Sequence, residues 1–425
     1  ELGVSRIVTL TAYEQLIAEG YLCTRQGAGT YITPDIISPP QLPLETPKNY
    51  QGPDWFQPEN IHPVSPEGEI SFKLGRPSAQ YFNTAAWKRS WRYALSLPFI
   101  NDAPPPEGLL PLRQAIADLV AGTRGIHCNP ADIIITSGAV DIISLMAQIT
   151  APFKPLTCLE NPGFPAASQI FQRYGHDIRP IPLDQEGLIL NDLPQDPKRA
   201  KILFCTPSHQ FPLGFRLSLP RRLALIDWAR QQDAIILEDD YDSEFRYDVP
   251  SIPSLKAQDD CGHVIYFSSL SKSLSPAIRL GYMIAPRKIR EMVTHRINQD
   301  HMQPPWLLQQ AMAHFIRAGE LNKHIRRMRR HYTSLNQAMR AGAESLSPDI
   351  MVHGLEAGLH CFIELPDRLN PEQVCQQLAE EGVTLGQMAP YASAATNWRG
   401  LVLGYGHLSG EEIRRGWKIL HRWLR

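Results

Sequence analysis

VIYFSSLSKSLSPAIRLGYM, residues Val264 to Met283, is the stretch whose reading decides the fold. Val264-Ile265-Tyr266-Phe267 is apolar on every residue and rich in β-branched and aromatic side chains, the pattern of a short strand buried on both faces. A serine-rich turn follows and carries a single lysine, Lys272, before Pro276, Arg279 and a second apolar run from Gly281. An amine among hydroxyls at the end of a buried strand sits where a carbonyl compound can reach it, and lysine condenses with such compounds. The plainer reading is a lysine on a surface loop. The rest of the chain decides between the two.

The 425 residues suggest more than one domain, with 43% hydrophobic and 20% charged residues as in ordinary globular protein. A formal charge of −1 gives no overall attraction to nucleic acid or acidic lipid, so any basic surface is local. Seven cysteines, odd in number and never spaced CxxC, argue for free thiols in a reducing compartment, the cytoplasm, and against a disulfide framework or zinc site. No secretory signal stands out. The most apolar window, Ile133 to Ala151, is broken by Gly138 and Asp141 and reads as strand, turn and helix, so no membrane span is expected.

Residues 1–33 read as a small unit. Ser5 is placed to cap a helix in which Val8, Ala12, Leu16 and Ile17 recur at helical spacing. Tyr21–Thr24 and Thr30–Thr33 form a hairpin around the tip Arg25-Gln26-Gly27-Ala28-Gly29. Helix then hairpin is the layout of a winged helix-turn-helix, whose recognition helix enters the major groove of double-stranded DNA by its N-terminus. Ser5 and Arg6 occupy that N-terminus, and Gln26 and Gly27 the wing tip. The run "ELGVSR…AYEQLIAEGYL…RQGAGTYI" resembles the DNA-binding domain of the GntR family of bacterial regulators, less its first helix, so the unit is an incomplete winged helix-turn-helix. Prolines then recur from Pro34 to Pro66 without apolar periodicity, which predicts a semi-rigid linker over residues 34–69.

From residue 70 the pattern is α/β. Helices are expected over Trp87–Leu95, Pro111–Ala121, Pro165–Tyr174 and Leu219–Gln231. Strands are expected at Asp132–Thr136, Leu156–Leu159, Lys201–Cys205, Ala234–Leu237 and Val264–Phe267. Such alternation predicts a mostly parallel sheet covered on both faces, with ligands beyond the carboxyl ends of the strands. The loops at those ends carry Ser137-Gly138-Ala139, Phe164, Thr206–Gln210, Glu238-Asp239-Asp240-Tyr241 and Ser269–Lys272. Together they offer donors at a helix N-terminus for a phosphate, a ring for stacking, a carboxylate, a phenol and an amine. Pyridoxal 5'-phosphate (PLP) needs that set, because its ring nitrogen must stay protonated beside a carboxylate. Ser137, Ser269 and Arg279 are the expected phosphate ligands, Phe164 the stacking ring and Asp239 the partner of the ring nitrogen. Ser269–Lys272 also spells SxxK, but the SDN and KTG strings of the serine enzymes that use it do not occur. The histidines, His209 included, lack metal-ligand spacing and are expected to be structural, so no metal is predicted.

The segments TSGAVDII, ENPGF, TPSHQFPLG, EDDYDSEFRY, SSLSKSLSPAIRLGY and LVLGYGHLS, in that order, resemble fold-type I aminotransferases. With the unit before them, the chain resembles the MocR subfamily of GntR-type regulators. That resemblance implies a homodimeric, PLP-dependent transcription factor whose aminotransferase-like domain, residues 70–425, has a large part (about 70–310) and a C-terminal α+β small part (about 311–425). It implies Lys272 as the Schiff-base lysine, Tyr241 as the donor to the ring hydroxyl, and Ser269 and Arg279 on the phosphate. PLP or an amino compound is the expected effector, and Arg399 is the expected grip for an effector carboxylate. The alternative is a working aminotransferase with a vestigial head.

Overall fold

The computed structural model describes residues 3–34, 69–196, 199, 201–247 and 252–424. The chain divides into two units, Glu1–Ser65 and Pro66–Arg425, each taken by itself below. The linker expected over residues 34–69 lies almost wholly outside the described residues.

In the first unit, α1 (Arg6–Ala18) is followed by the antiparallel pair β1 (Leu22–Arg25) and β2 (Gly29–Ile32). Ser5 caps α1 by accepting the Val8 N–H at 3.4 Å. Gly27 and Gly29 take positive φ at the hairpin tip, where a residue without Cβ is least strained. The hairpin closes back on the helix end: the Thr33 hydroxyl donates to the Gly20 carbonyl at 2.7 Å.

The second unit runs, in its large part, through β3 (Ile70–Ser71), α2 (Thr84–Ser96), α3 (Leu110–Arg124), β4 (Ile133–Thr136), α4 (Ala139–Thr150), β5 (Leu156–Asn161), α5 (Pro165–Arg173), β6 (Asp177–Asp184), β7 (Gly187–Leu188), β8 (Lys201–Cys205), α6 (Leu219–Gln232), β9 (Ile235–Asp239), α7 (Leu255–Gln258), β10 (Val264–Ser269), β11 (Gly281–Ile284), α8 (Arg287–Asp300) and α9 (Trp306–Arg317). It continues through α10 (Glu320–Ala343), β12 (Met351–His353), β13 (His360–Glu364), α11 (Pro371–Glu380), β14 (Val383–Thr384), β15 (Gly386–Gln387), β16 (Gly400–Gly404) and α12 (Gly410–Trp423).

The main sheet has the order β4-β11-β10-β9-β8-β5-β6-β7. The strands from β10 to β6 pair in parallel, while β11 runs against both β10 and β4. Its strands are apolar on consecutive residues because both faces are covered. Ile265 and Phe267 pack with α4 and α5 residues such as Ile142 and Phe171, whereas Tyr266 packs on the opposite face with Leu112 of α3 and Phe315 of α9. A second sheet, β12-β13-β16-β15, has its own core with α10, α11 and α12.

The two cores meet inside one helix. Leu321 and Ile325 of α10 belong to the core under β4 and β11, and Met328, Tyr332 and Leu335 to the core under β13 and β16. Ile70 and Phe72 join that second core, and β3 pairs with β14. β3, although it precedes the main-sheet strands in sequence, therefore packs with the second sheet's core.

Candidate cofactor site at the sheet edge

The carboxyl ends of β4, β5, β8, β9 and β10 open on a cavity of about 280 Å³. Gly138, Ala139, Phe164, Asp239, Tyr241, Ser269, Lys272 and Arg279 all line it. Residues from seven sequence segments are thereby brought to one place, which is what a parallel sheet does with its loops.

β10 ends at Ser269, and the following turn carries Lys272 into the cavity, where Nζ donates to the Gly75 carbonyl at 2.9 Å. Burial lowers the Lys272 pKa from the ordinary lysine value, while the charges of Asp242 and Asp239 act in the opposite sense. Gly75 has φ +80, and a Cβ there would lie 2.6 Å from Nζ, so the lysine needs a glycine beside it. Asp239 is the last residue of β9, registered against Phe267 of β10. Its Oδ1 is buried without a partner, and burial pushes its carboxyl well above the usual carboxylate range. An unpaired buried carboxylate oxygen calls for a donor, and a cationic one restores its ionised form.

Gly138 (φ +127) caps α4, so the amides of that first turn face the cavity. Here β11 passes so close that a Cβ on Gly281 would meet the Gly138 Cα at 2.7 Å. Arg279, at φ +50, turns its guanidinium to the same spot: Nη1 lies 4.0 Å from where a Gly138 Cβ would be. Phe164 lies against Phe204 (ring centroids 6.5 Å apart, 25° between planes) and edge-on to Phe211.

Buried polar contacts hold these loops. Arg124 and Asp240 pair at 2.7 Å, and Asp240 also accepts from Tyr266 and Ser243. Arg124 reaches on to the Ser208 hydroxyl at 2.9 Å, tying the loop after β9 to the loop after β8. Arg222, fully buried, donates to the carbonyls of Pro207, Leu217 and Pro253. Glu160, at the end of β5, accepts from the Thr206 amide and hydroxyl, and its burial raises its pKa to about 7.

The geometry corrects two expectations. Arg399 is not among the residues lining the cavity: its guanidinium is taken up by Asp367 and by the Leu369 carbonyl at 2.7 Å. Ser137 is not among the described lining residues either, and its amide donates to Asp141 Oδ2 at 2.9 Å, which leaves Gly138, Ala139, Ser269 and Arg279 as the groups that would hold a phosphate.

The same geometry adds residues that sequence reasoning passed over. Asp242 and His360 line the cavity, and His209 stands behind them, its Nδ1 2.9 Å from Asp242 Oδ2 and 3.1 Å from the Tyr241 hydroxyl. An ionised carboxylate only accepts, so His209 Nδ1 carries the shared proton and the Tyr241 hydroxyl hydrogen is left for the cavity. His209, Asp242 and His360 bring their ligating atoms within 4.8 Å of one another, which linear spacing hides. His209 Nδ1 is nonetheless committed to Asp242, so the three do not form an open ligand set for a metal ion.

The residues fit PLP. Asp239 Oδ1 would meet a protonated ring nitrogen, Phe164 a ring face, Tyr241 a ring hydroxyl, the α4 N-terminus with Ser269 and Arg279 a phosphate, and Lys272 the aldehyde. On the first unit, Ser5 and Arg6 stand at the N-terminus of α1 and Gln26 and Gly27 at the hairpin tip, all exposed.

The model of the aminotransferase class I and II family matches residues 77–399. The chain is 34% identical to the uncharacterized HTH-type transcriptional regulator YhdI of Bacillus subtilis, over 98% of this chain and 87% of that protein. It is 33% identical to the HTH-type pyridoxine biosynthesis transcriptional regulator PdxR of Corynebacterium glutamicum, over 97% of this chain and 86% of that protein. Among solved structures, the Pyrococcus horikoshii kynurenine aminotransferase, solved with PMP, superposes with a TM-score of 0.76 at 25% identity, covering 85% of this chain and 91% of that one. The fold is thus that of the PLP-dependent aminotransferases, and PLP is the cofactor it implies. The chain belongs to the class I and II aminotransferase family and, within it, to the helix-turn-helix transcriptional regulators of the MocR subfamily.

Proposed function

We propose that this regulator holds PLP on Lys272, reads an amino compound at the same place, and transmits the result to operator DNA gripped by its N-terminal unit. The observation that carries the reading is the buried, partnerless Asp239 Oδ1 in the same cavity as the Lys272 amine. Bound PLP supplies an electrophilic carbon for amines and an electron-withdrawing ring. The chain's own groups do the rest. Asp239 keeps a ring nitrogen protonated. Tyr241, whose phenol burial raises well above its ordinary pKa, stays protonated and donates from its hydroxyl. Lys272, eased toward its neutral form by burial, can give up its amine position to an incoming one.

The head, residues 1–33, would place Ser5 and Arg6 at base edges and Gln26 and Gly27 on the backbone, with residues 34–69 as the connection to the effector domain, residues 70–425. A homodimer is supported by apolar side chains left uncovered on and just after α2: Leu95 is 65% and Phe99 79% exposed, with Phe99 edge-on to Trp306. Cytoplasmic residence is supported by seven cysteines that are all free. No described helix is long and apolar enough to cross a membrane.

The test is an absorbance titration with PLP of wild type and Lys272→Ala, alongside gel shifts on the DNA upstream of its own gene. Wild type should acquire the visible band of a lysine-bound cofactor, Lys272→Ala should lack it, and the gel shift should weaken steeply with salt. Indifference to both PLP and DNA would sink the reading. Steady turnover of an amino donor and an oxo acid, abolished by Lys272→Ala, would make the chain an enzyme instead.

A further inference from the structure

The cavity wall near Lys272 is built of hydrogen-bond acceptors. His360, on β13, is 4% exposed and lines the cavity. Its burial, and the charges of His209 and Lys272, hold its pKa well below the ordinary histidine value, so the ring is neutral. Nε2 is buried and has no partner, so an occupant of the cavity that donates to it would satisfy it. Asp242 adds a carboxylate whose charge is the foremost one acting on Lys272. The Gly75 carbonyl, held by Lys272 Nζ, is a third acceptor.

Cationic side chains are disposed differently. Arg279 is the one arginine among the described lining residues, and it lies with the α4 N-terminus at the phosphate end. Arg399 is committed to Asp367 and Leu369 outside the cavity. A carboxylate lodged beside Asp242 would face like charge and could not donate to His360 Nε2, whereas a hydroxyl or ammonium would satisfy both.

Resting on the reading of this cavity as the effector site, we propose that the effector is an amino compound whose second functional group is a hydrogen-bond donor, a hydroxyl or an ammonium, instead of the carboxylate of an amino acid. His360 and Asp242 are the residues that select it. Sites built to pair with a donor discriminate strongly against ligands lacking one, because the buried acceptors are then left unpaired.

The experiment is a set of titrations of the PLP-loaded full chain, read by change in cofactor absorbance, with matched probes: ethanolamine against glycine, and putrescine against γ-aminobutyrate. The donor-bearing member of at least one pair should act at concentrations lower by about tenfold or more than its carboxylate partner. His360→Phe should erase that preference and His360→Gln, which keeps an acceptor, should retain part of it. If His360→Phe does not fold, Asp242→Asn carries the same test for putrescine alone. Equal or tighter binding of the carboxylates, no response to either donor-bearing compound, or an unchanged ranking in the variants would overturn the proposal. A chain that never acquires the cofactor band fails at the prior step, and that outcome counts against the cofactor reading itself.

Discussion

Asp239 and Lys272 differ in what their surroundings leave unsatisfied. The lysine has a carbonyl to donate to, whereas one oxygen of the aspartate has nothing. Asp239→Asn keeps the shape and removes the charge that a protonated ring nitrogen requires. Loss of one charge-assisted bond costs about 2 kcal/mol, so cofactor affinity should fall roughly thirtyfold in the absorbance titration. An unchanged affinity would show that Asp239 does not face the ring nitrogen. Behind the site, Gly358 sits at φ +72, and a Cβ there would lie 2.1 Å from His209 Cε1 and 2.4 Å from Asp242 Oδ2. Gly358→Ala should therefore destabilise the fold by about 2–4 kcal/mol, read as a lower urea midpoint, because backbone strain and overpacking act together.

At the level of elements, the loops after β5, β8 and β9 are held by buried acids and arginines, and this makes them sensitive to pH. Glu160 has its pKa raised from 4.5 to about 7, with burial the leading cause. The folded state then binds this proton more tightly than the unfolded chain does. Its contribution is fully present below pH 4.5 and is lost as pH rises through about 7. Glu238, raised to about 7 by the same cause, acts in the same direction. Glu160→Gln keeps an oxygen to accept from Thr206 but cannot ionise. Its urea midpoint should fall less than that of wild type between those limits. Parallel curves would mean that Glu160 does not titrate in that window.

For the whole molecule, the uncovered side chains on and after α2 bear on assembly. Leu95→Glu with Phe99→Glu should shift sedimentation toward a monomer if that face joins two copies, since charge at an apolar contact is costly to desolvate. A dimer undisturbed by both changes would move the interface elsewhere. The organisation of the catalytic-type fold was largely legible beforehand. Val264–Phe267, Lys201–Cys205 and Ile133–Thr136 are strands because their uninterrupted apolar runs have a cover on each face, and the sequence shows that directly. The loops that follow strands in such a sheet converge by topology, so Lys272, Asp239, Tyr241, Phe164 and Arg279 could be assembled without coordinates.

What the sequence by itself determined was this set of strand-end groups, because local pattern fixes each strand and the parallel sheet fixes where its loop goes. What only the tertiary structure decided was everything that depends on the second sheet and on side-chain direction. His360 reaches the cavity from β13 of the second sheet and Gly75 from the segment after β3, both far along the chain from Lys272, and no local spacing announces them. His209 and Asp242 lie in loops the sequence marks, but their pairing through one imidazole nitrogen depends on how two loops pack. Arg399 shows the converse: its guanidinium is claimed by Asp367 and the Leu369 carbonyl, contacts that no sequence pattern announces. Sequence periodicity specifies which residues reach the sheet edge, and packing between the two sheets specifies which of them meet.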